Sequence, residues 1–293
     1  MEYQRIAVGT AQFGMKYGVA NYLDRVSDAE AQKILRCAQD CGIKTLDTAS
    51  SYGVSEECLG KAGVNEWEIV SKIPAIPKLT DKRGLHIWFS ETLQRSLARL
   101  RVNSIYGLLV HEASDLNGQL GDALYALMKS AKDKEITRKI GVSVYHPKEL
   151  DGLIDRYPID LVQLPFNVLD QRFAESGWLE RLQRANIEIH SRSVYLQGLL
   201  LMPAKTRPKK FLRWPKLWQQ WDGWMTESGL SPLATCLSAV FKQTMIDRVI
   251  IGFDNLDQFE KLRETKIQPE ISLPVFSEFA TEELINPSKW NTI

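Results

Sequence analysis

The chain has 293 residues, 44% hydrophobic and 25% charged, enough to bury a large core as one α/β domain or two smaller ones. With 37 Lys plus Arg against 36 Asp plus Glu, its formal net charge of +1 offers no long-range field for nucleic acid or an anionic membrane surface. Four cysteines without a C-x-x-C pair, a start that runs straight into a strand, and no stretch approaching a membrane span suggest a reduced, soluble, cytoplasmic protein. Cys37 and Cys41 stand one helical turn apart, a spacing at which neither a disulfide nor a metal role is expected.

Taken in chain order, eight short runs rich in Ile, Val and Leu alternate with helical stretches, the way parallel strands buried on both faces read. RIAVGTA at 5–11 ends in Gly9, Thr10 and Ala11. AEAQKILRCAQDCG at 29–42 carries its apolar residues at helical spacing and stops at Gly42. KTLDTA at 44–49 delivers an acid, Asp47, and the loop after it presents a phenol, Tyr52. EIVSKI at 68–73 carries Lys72 near its end, an amphipathic stretch follows at 90–101, and SIYGLLVH at 104–111 ends on His111. A further helix reads at 122–135, then KIGVSVY at 139–145, DLVQLPF at 160–166, EIHSRSV at 188–194 and RVIIGF at 248–253.

Eight strand-helix units in this length predict one (β/α)8 barrel over 1–293 rather than an open sheet, since no G-x-G-x-x-G follows the first strand. Asp47, Tyr52, Lys72 and His111 then all fall at C-terminal strand ends, the catalytic face of such barrels. One segment breaks the rhythm: residues 201–229 are too long for an ordinary connection and hold Trp214, Trp218, Trp221 and Trp224. Their spacing fits one helical face packed on the barrel rim, and equally a lid or subunit contact over the mouth.

Asp47, Tyr52, Lys72 and His111, in the contexts LDTA-x-x-YG, SK and LLVHE, resemble the catalytic tetrad of the aldo-keto reductases. The resemblance runs from GTAQFG near the start to IIGFDNLDQFE near the end. It implies reduction of an aldehyde or ketone by a nicotinamide cofactor, with Tyr52 as proton donor, Lys72 polarising it, Asp47 holding Lys72 and His111 orienting the carbonyl. That chemistry is sensible for these groups, because a developing alkoxide needs a positioned acid and a neighbouring ammonium makes a phenol a better one.

The same resemblance implies that Ser143 and Gln163 hold the nicotinamide carboxamide and that the loop with Ser193, Tyr195, Leu196 and Gln197 wraps the pyrophosphate. Gly9, Thr10 and Ala11 would line the same cleft, and Gly252, Asp254 and Gln258 the adenosine end. The chain departs from the family pattern in three places. GVSV replaces the usual GVSN at Val144; Arg192 stands where a Tyr usually stacks on the nicotinamide; and GFDNLDQFEKL brings Asp254, Asn255, Lys261 and Leu262 where relatives carry other residues. Family habit favours NADPH, whereas an acid near the ribose favours NADH, with Lys205, Lys209 and Lys210 as alternative cations. Met15, Tyr17, Trp88 and His146 are candidate walls of a pocket for a small carbonyl compound, sugar derivatives included. Two other readings stay open: a cofactor-binding regulatory or redox-sensing barrel, and a non-redox carbohydrate lyase or epimerase using the same proton-handling set.

Overall fold

A computed structural model describes residues 3–21, 24–78 and 80–290. Eight parallel strands close on themselves in chain order: β1 (Ile6–Gly9), β2 (Thr45–Asp47), β3 (Glu68–Ile73), β4 (Ile105–Val110), β5 (Thr137–Ser143), β6 (Leu161–Pro165), β7 (Glu188–Arg192) and β8 (Arg248–Gly252). β8 pairs with β1, so the sheet has no free edge and the (β/α)8 reading holds.

Alternation along each strand sorts the side chains into layers. In β3, Ile69 and Ile73 face the helices and join the large outer core, while Val70 points inward to meet Leu109 and Leu161 in a small plug. The same two-residue period carries Asp47, Lys72, Gln163 and Arg192 to the inner face at the C-terminal mouth. It also carries Thr45, Glu68, Lys139 and Glu188 to the opposite floor, where the Tyr106 hydroxyl reaches Glu188. The strand pattern that builds the core thus gathers the reactive residues at one end.

Helices pack outside the strands. The helix Asp28–Asp40 begins at Ser27, whose hydroxyl accepts from the Glu30 N–H. The helix Lys82–Leu100 starts eight residues before the amphipathic stretch read from sequence, because Asp81 accepts from the Gly84 N–H at 2.6 Å and caps it. Trp88, taken from sequence as a candidate pocket wall, lies within this helix, half-buried against the core.

The Trp-rich segment holds the helix Pro215–Ser228, which buries Trp218 and Trp221. Trp221 meets Phe276 edge-on at 5.2 Å between centroids, and Trp218 Nε1 donates to Phe211 O at 2.6 Å. Arg207 stacks on Trp218 at 4.2 Å and pairs with Asp222 at 2.7 Å. These contacts fasten the segment to the C-terminal stretch, where Trp290 in turn packs on Phe211. No described helix is long and apolar enough to cross a membrane.

Candidate active site

Close packing of two loops sets the mouth at β1 and β2. Thr10 donates to Asp47 O through both its N–H, at 3.0 Å, and its hydroxyl, at 2.9 Å, which locks β1 to the strand carrying the acid. Ser55 donates back to Thr10 O at 2.9 Å. A Cβ on Gly14 would come within 1.8 Å of Tyr52 O, so glycine is what lets the first loop lie flat on the turn that presents the phenol.

Lys72 is 1% exposed and donates to Asp47 Oδ1 at 2.7 Å and Thr48 O at 2.9 Å. Gln163 Nε2 donates to the same carboxylate oxygen at 2.7 Å. The Lys72 ammonium also sits 5.1 Å from the centre of the Tyr52 ring. The His111 ring meets Tyr52 edge-on at 6.0 Å, and its Nδ1 lies 3.2 Å from Ser51 Oγ. All four members of the set are thus gathered around one phenol.

Their proton affinities are set by this crowding. Burial, reinforced by Asp47, pushes the Tyr52 phenol well above its ordinary value, so it stays protonated at neutral pH. Burial also lowers the Lys72 affinity, with Asp47 opposing by holding the ammonium. His111 is pushed down to about 4 by burial and then by Lys72 and Arg192, which leaves a neutral imidazole.

A cavity of about 550 Å³ opens from this cluster across β1 and β8 to the loop after β7. Asp47, Tyr52, Gly9, Thr10, Ala11 and Tyr17 line it on one side, and Arg192, Ser193, Tyr195 and Gln197 on another. Gly252, Asp254, Gln258, Lys261 and Leu262 line a third side. Burial raises the Asp254 carboxyl, opposed by a bond from Gln258 Nε2 at 3.1 Å, and Asn21 Nδ2 donates to its other oxygen at 3.1 Å.

The loop after β7 has an unusual backbone: Ser193, Leu196, Gln197 and Gly198 all have positive φ, at 64°, 48°, 54° and 87°. Of these, Gln197 and Gly198 line the cavity and donate to no backbone acceptor among the described residues, so their N–H groups are available to an anion such as phosphate. The loop after β1 crosses over it, with Val19 N donating to Gln197 O at 3.0 Å. A Cβ on Gly198 would meet Ala20 Cβ at 2.7 Å, so that crossing needs glycine as much as the positive φ does.

Arg192 does not point into a salt bridge. Its guanidinium carbon lies 4.1 Å from the Tyr145 ring centre, and the fork donates to Val144 O at 2.9 Å. No carboxylate among the described residues pairs with it. Among the buried polar atoms without a partner in the described residues is Gln163 Oε1, beside the tetrad.

Other residues singled out from sequence stand apart from this cavity. Ser143 is buried opposite Gln163 in the β5–β6 register, and Leu196 is buried; neither lines the cavity, and nor does Gln163. Met15 is exposed, and His146 caps Pro147–Leu150 and borders two smaller hollows with Glu282. Lys205 and Lys209 are exposed, while Lys210 donates to Trp290 O at 2.6 Å; the lysine that does line the cavity is Lys261. From the Trp-rich segment Met202, Pro203 and Thr206 reach it, whereas none of the four tryptophans does.

The sequence marks a helix beginning near Ser231, but neither Ser231, Pro232 and Leu233 nor Asn21 was expected to line the cavity, as all four do. The Ser231–Pro232 pair is itself a helix-start signal, with Ser231 Oγ accepting from Ala234 N at 3.1 Å. Asn21 carries no local signal, because its role depends on a loop crossing the mouth.

Comparison with known proteins agrees with this architecture. The aldo/keto reductase family model matches residues 5–265. An aldo-keto reductase of Mycolicibacterium vanbaalenii is 33% identical over 130 residues, covering 44% of this chain and 46% of the relative. YhdN of Bacillus subtilis, also an aldo-keto reductase, is 28% identical over 185 residues, covering 60% and 54%. The chain thus spans about half the length of the curated relatives it matches. Among solved structures, the aldo-keto reductase AKR11C1 of Bacillus halodurans superposes with a TM-score of 0.70 at 16% identity, covering 97% of this chain and 95% of that one. The glycerol dehydrogenase AKR11B4 of Gluconobacter oxydans gives 0.70 at 23% identity, covering 97% and 93%. With the family model matched over nearly its whole length, this chain belongs to the aldo/keto reductase family.

Proposed function

We propose that the protein is a nicotinamide-dependent oxidoreductase that reduces an aldehyde or ketone to an alcohol, with Tyr52 as the proton donor. The observation that carries this reading is the buried Lys72–Asp47 pair, 2.7 Å apart, set directly against the face of the Tyr52 ring at the end of the cavity.

The residues present suit a dinucleotide. Gln163 Oε1 is an orphaned acceptor of the kind a carboxamide N–H₂ satisfies. The left-handed run Leu196–Gly198 suits a pyrophosphate, and the Asp254 end suits a ribose. The cofactor, when bound, supplies the hydride.

The chain's own groups handle the proton. Tyr52 is held protonated by its buried setting and gives its proton to the carbonyl oxygen as negative charge develops there. The Lys72 ammonium over the ring stabilises the phenolate left behind, and Asp47 keeps that ammonium in position. In the tautomer in which Ser51 donates to Nδ1, neutral His111 carries its proton on Nε2, where it can donate to the same oxygen.

Substrates are small carbonyl compounds, sugar derivatives included, admitted beside Tyr17. Replacing Tyr52 by Phe tests the reading. Reduction of a simple aldehyde should fall by about 10²–10⁴-fold while dinucleotide affinity changes little, since the phenol acts on the transition state. Undiminished turnover in Tyr52→Phe would remove Tyr52 from the mechanism.

A further inference from the structure

Beside the tetrad, one cation lining the cavity has no carboxylate bonded to it; an acid that senses its charge is Glu112. Lys72 shares its charge with Asp47, whose Oδ1 is further held by Gln163. Arg192, on the same inner face, has no carboxylate partner among the described residues. It is fixed instead by neutral groups, the Tyr145 ring at 4.1 Å and Val144 O at 2.9 Å. Its charge reaches the reacting groups, for it helps depress the proton affinities of His111 and Lys72 and counters the rise at Tyr52.

We propose that Arg192, propped on Tyr145, makes this site selective for the reduced form of the cofactor, binding the oxidised form at least tenfold more weakly. The proposal rests on the nicotinamide-dependent reading given above. A ring able to pass hydride to a carbonyl held at the Tyr52 hydroxyl has to occupy the part of the cavity that Tyr52, Asp47 and Arg192 line together. The reduced dihydronicotinamide is uncharged, whereas the oxidised ring carries one positive charge. A fixed guanidinium beside it therefore repels one redox state and not the other, in a groove where water screens the interaction less than at an open surface. Arginine remains charged throughout the working pH range, so the bias is permanent. Such a site loads reduced cofactor and expels the oxidised product, which directs the chain toward reduction even where oxidised cofactor is abundant.

Equilibrium titrations without substrate test this, using quenching of tryptophan fluorescence by NADH, NAD⁺, NADPH and NADP⁺ separately. For the native protein the ratio of oxidised to reduced dissociation constants should be about ten or more in the preferred pair. Arg192→Met and Arg192→Gln, which discard the charge, should lower that ratio about tenfold, mainly by tightening the oxidised form. Arg192→Lys should retain most of it. A ratio near one in the native protein overturns the proposal without recourse to any variant. So does a ratio that Met and Gln leave unchanged, and in both cases the reductase reading survives. Failure of all four nucleotides to bind the native protein removes both readings together.

Discussion

The two ends of the barrel use the same residue types to opposite effect. At the floor, Glu188 accepts from Tyr106 Oη at 2.7 Å, pairs with Lys139, and faces His190 Nε2 at 2.8 Å. Beside it Arg248 Nε donates to Thr45 Oγ1 at 3.0 Å, and Thr45 donates on to Glu68 at 3.1 Å. Polar groups there answer one another, with His190 Nδ1 the buried exception. At the mouth, Arg192 lacks a counter-charge, Gln163 Oε1 lacks a partner, and four loop residues hold left-handed backbone. An end whose polar atoms are satisfied internally contributes to stability, while an end that leaves them unused is built to meet a ligand.

The comparison breaks most sharply through paired substitutions. Tyr52→Phe should cost about two to four orders of magnitude in turnover with the melting temperature nearly unchanged. Glu188→Ala should do the reverse. Removing one partner of a buried charged cluster costs about 3–5 kcal/mol, because Lys139 and His190 lose the acceptor that offsets their burial. Turnover measured below the lowered melting temperature should persist. A Glu188→Ala protein as stable as the parent would deny the floor its structural role.

Acid titration separates the same two ends by window. His111, its proton affinity lowered from 6.5 to about 4, is neutral in the fold but protonates in the unfolded chain as pH drops below 6.5. The unfolded state then binds more protons, so stability falls between 6.5 and about 4. Burial pushes the Glu188 carboxyl up, yet His190, Lys139 and Tyr106 together hold it well below its ordinary 4.5. Its contribution is present above 4.5 and is lost as pH falls below that value. Chemical denaturation across this range should show that His111→Gln flattens the upper part of the decline and Glu188→Gln the lower part. If either variant flattens the other's window, the assignment of these groups is wrong.

How much of this was legible in the sequence follows from the range of the forces involved. Strand runs and the Asp47, Lys72 and His111 positions could be read because a short apolar run buried on both faces is a local pattern, and Tyr52 follows its strand by only five residues. Trp88 went astray because a cap at Asp81 extends its helix toward the N-terminus, and an Asp before Lys-Arg-Gly is a quiet signal. Arg192 was seen as a departure from pattern, but its prop on Tyr145, just past the end of β5, joins residues 47 apart in sequence and appears only when the barrel closes. The strap from the β1 loop to Asp254 is longer-range still, spanning 233 residues between Asn21 and its acceptor.

The smallest expected effect lies at that far end of the cavity. Asp254 lines the groove beside Lys261, with one oxygen held by Asn21 and the other by Gln258. Two amide donors aim the carboxylate but do not neutralise it, so it repels a 2′-phosphate while remaining able to accept from a ribose diol. Lys261 opposes this repulsion, and solvent in the groove weakens both interactions. The net preference should therefore be modest, with NADH at least matching NADPH in affinity. Asp254→Ser, which removes the negative charge and leaves Lys261 in place, should shift the ratio of the two dissociation constants toward NADPH by about tenfold. A strong NADPH preference in the native protein would mean that Lys261 outweighs Asp254, and the acid would then serve the strap from Asn21 and not cofactor choice.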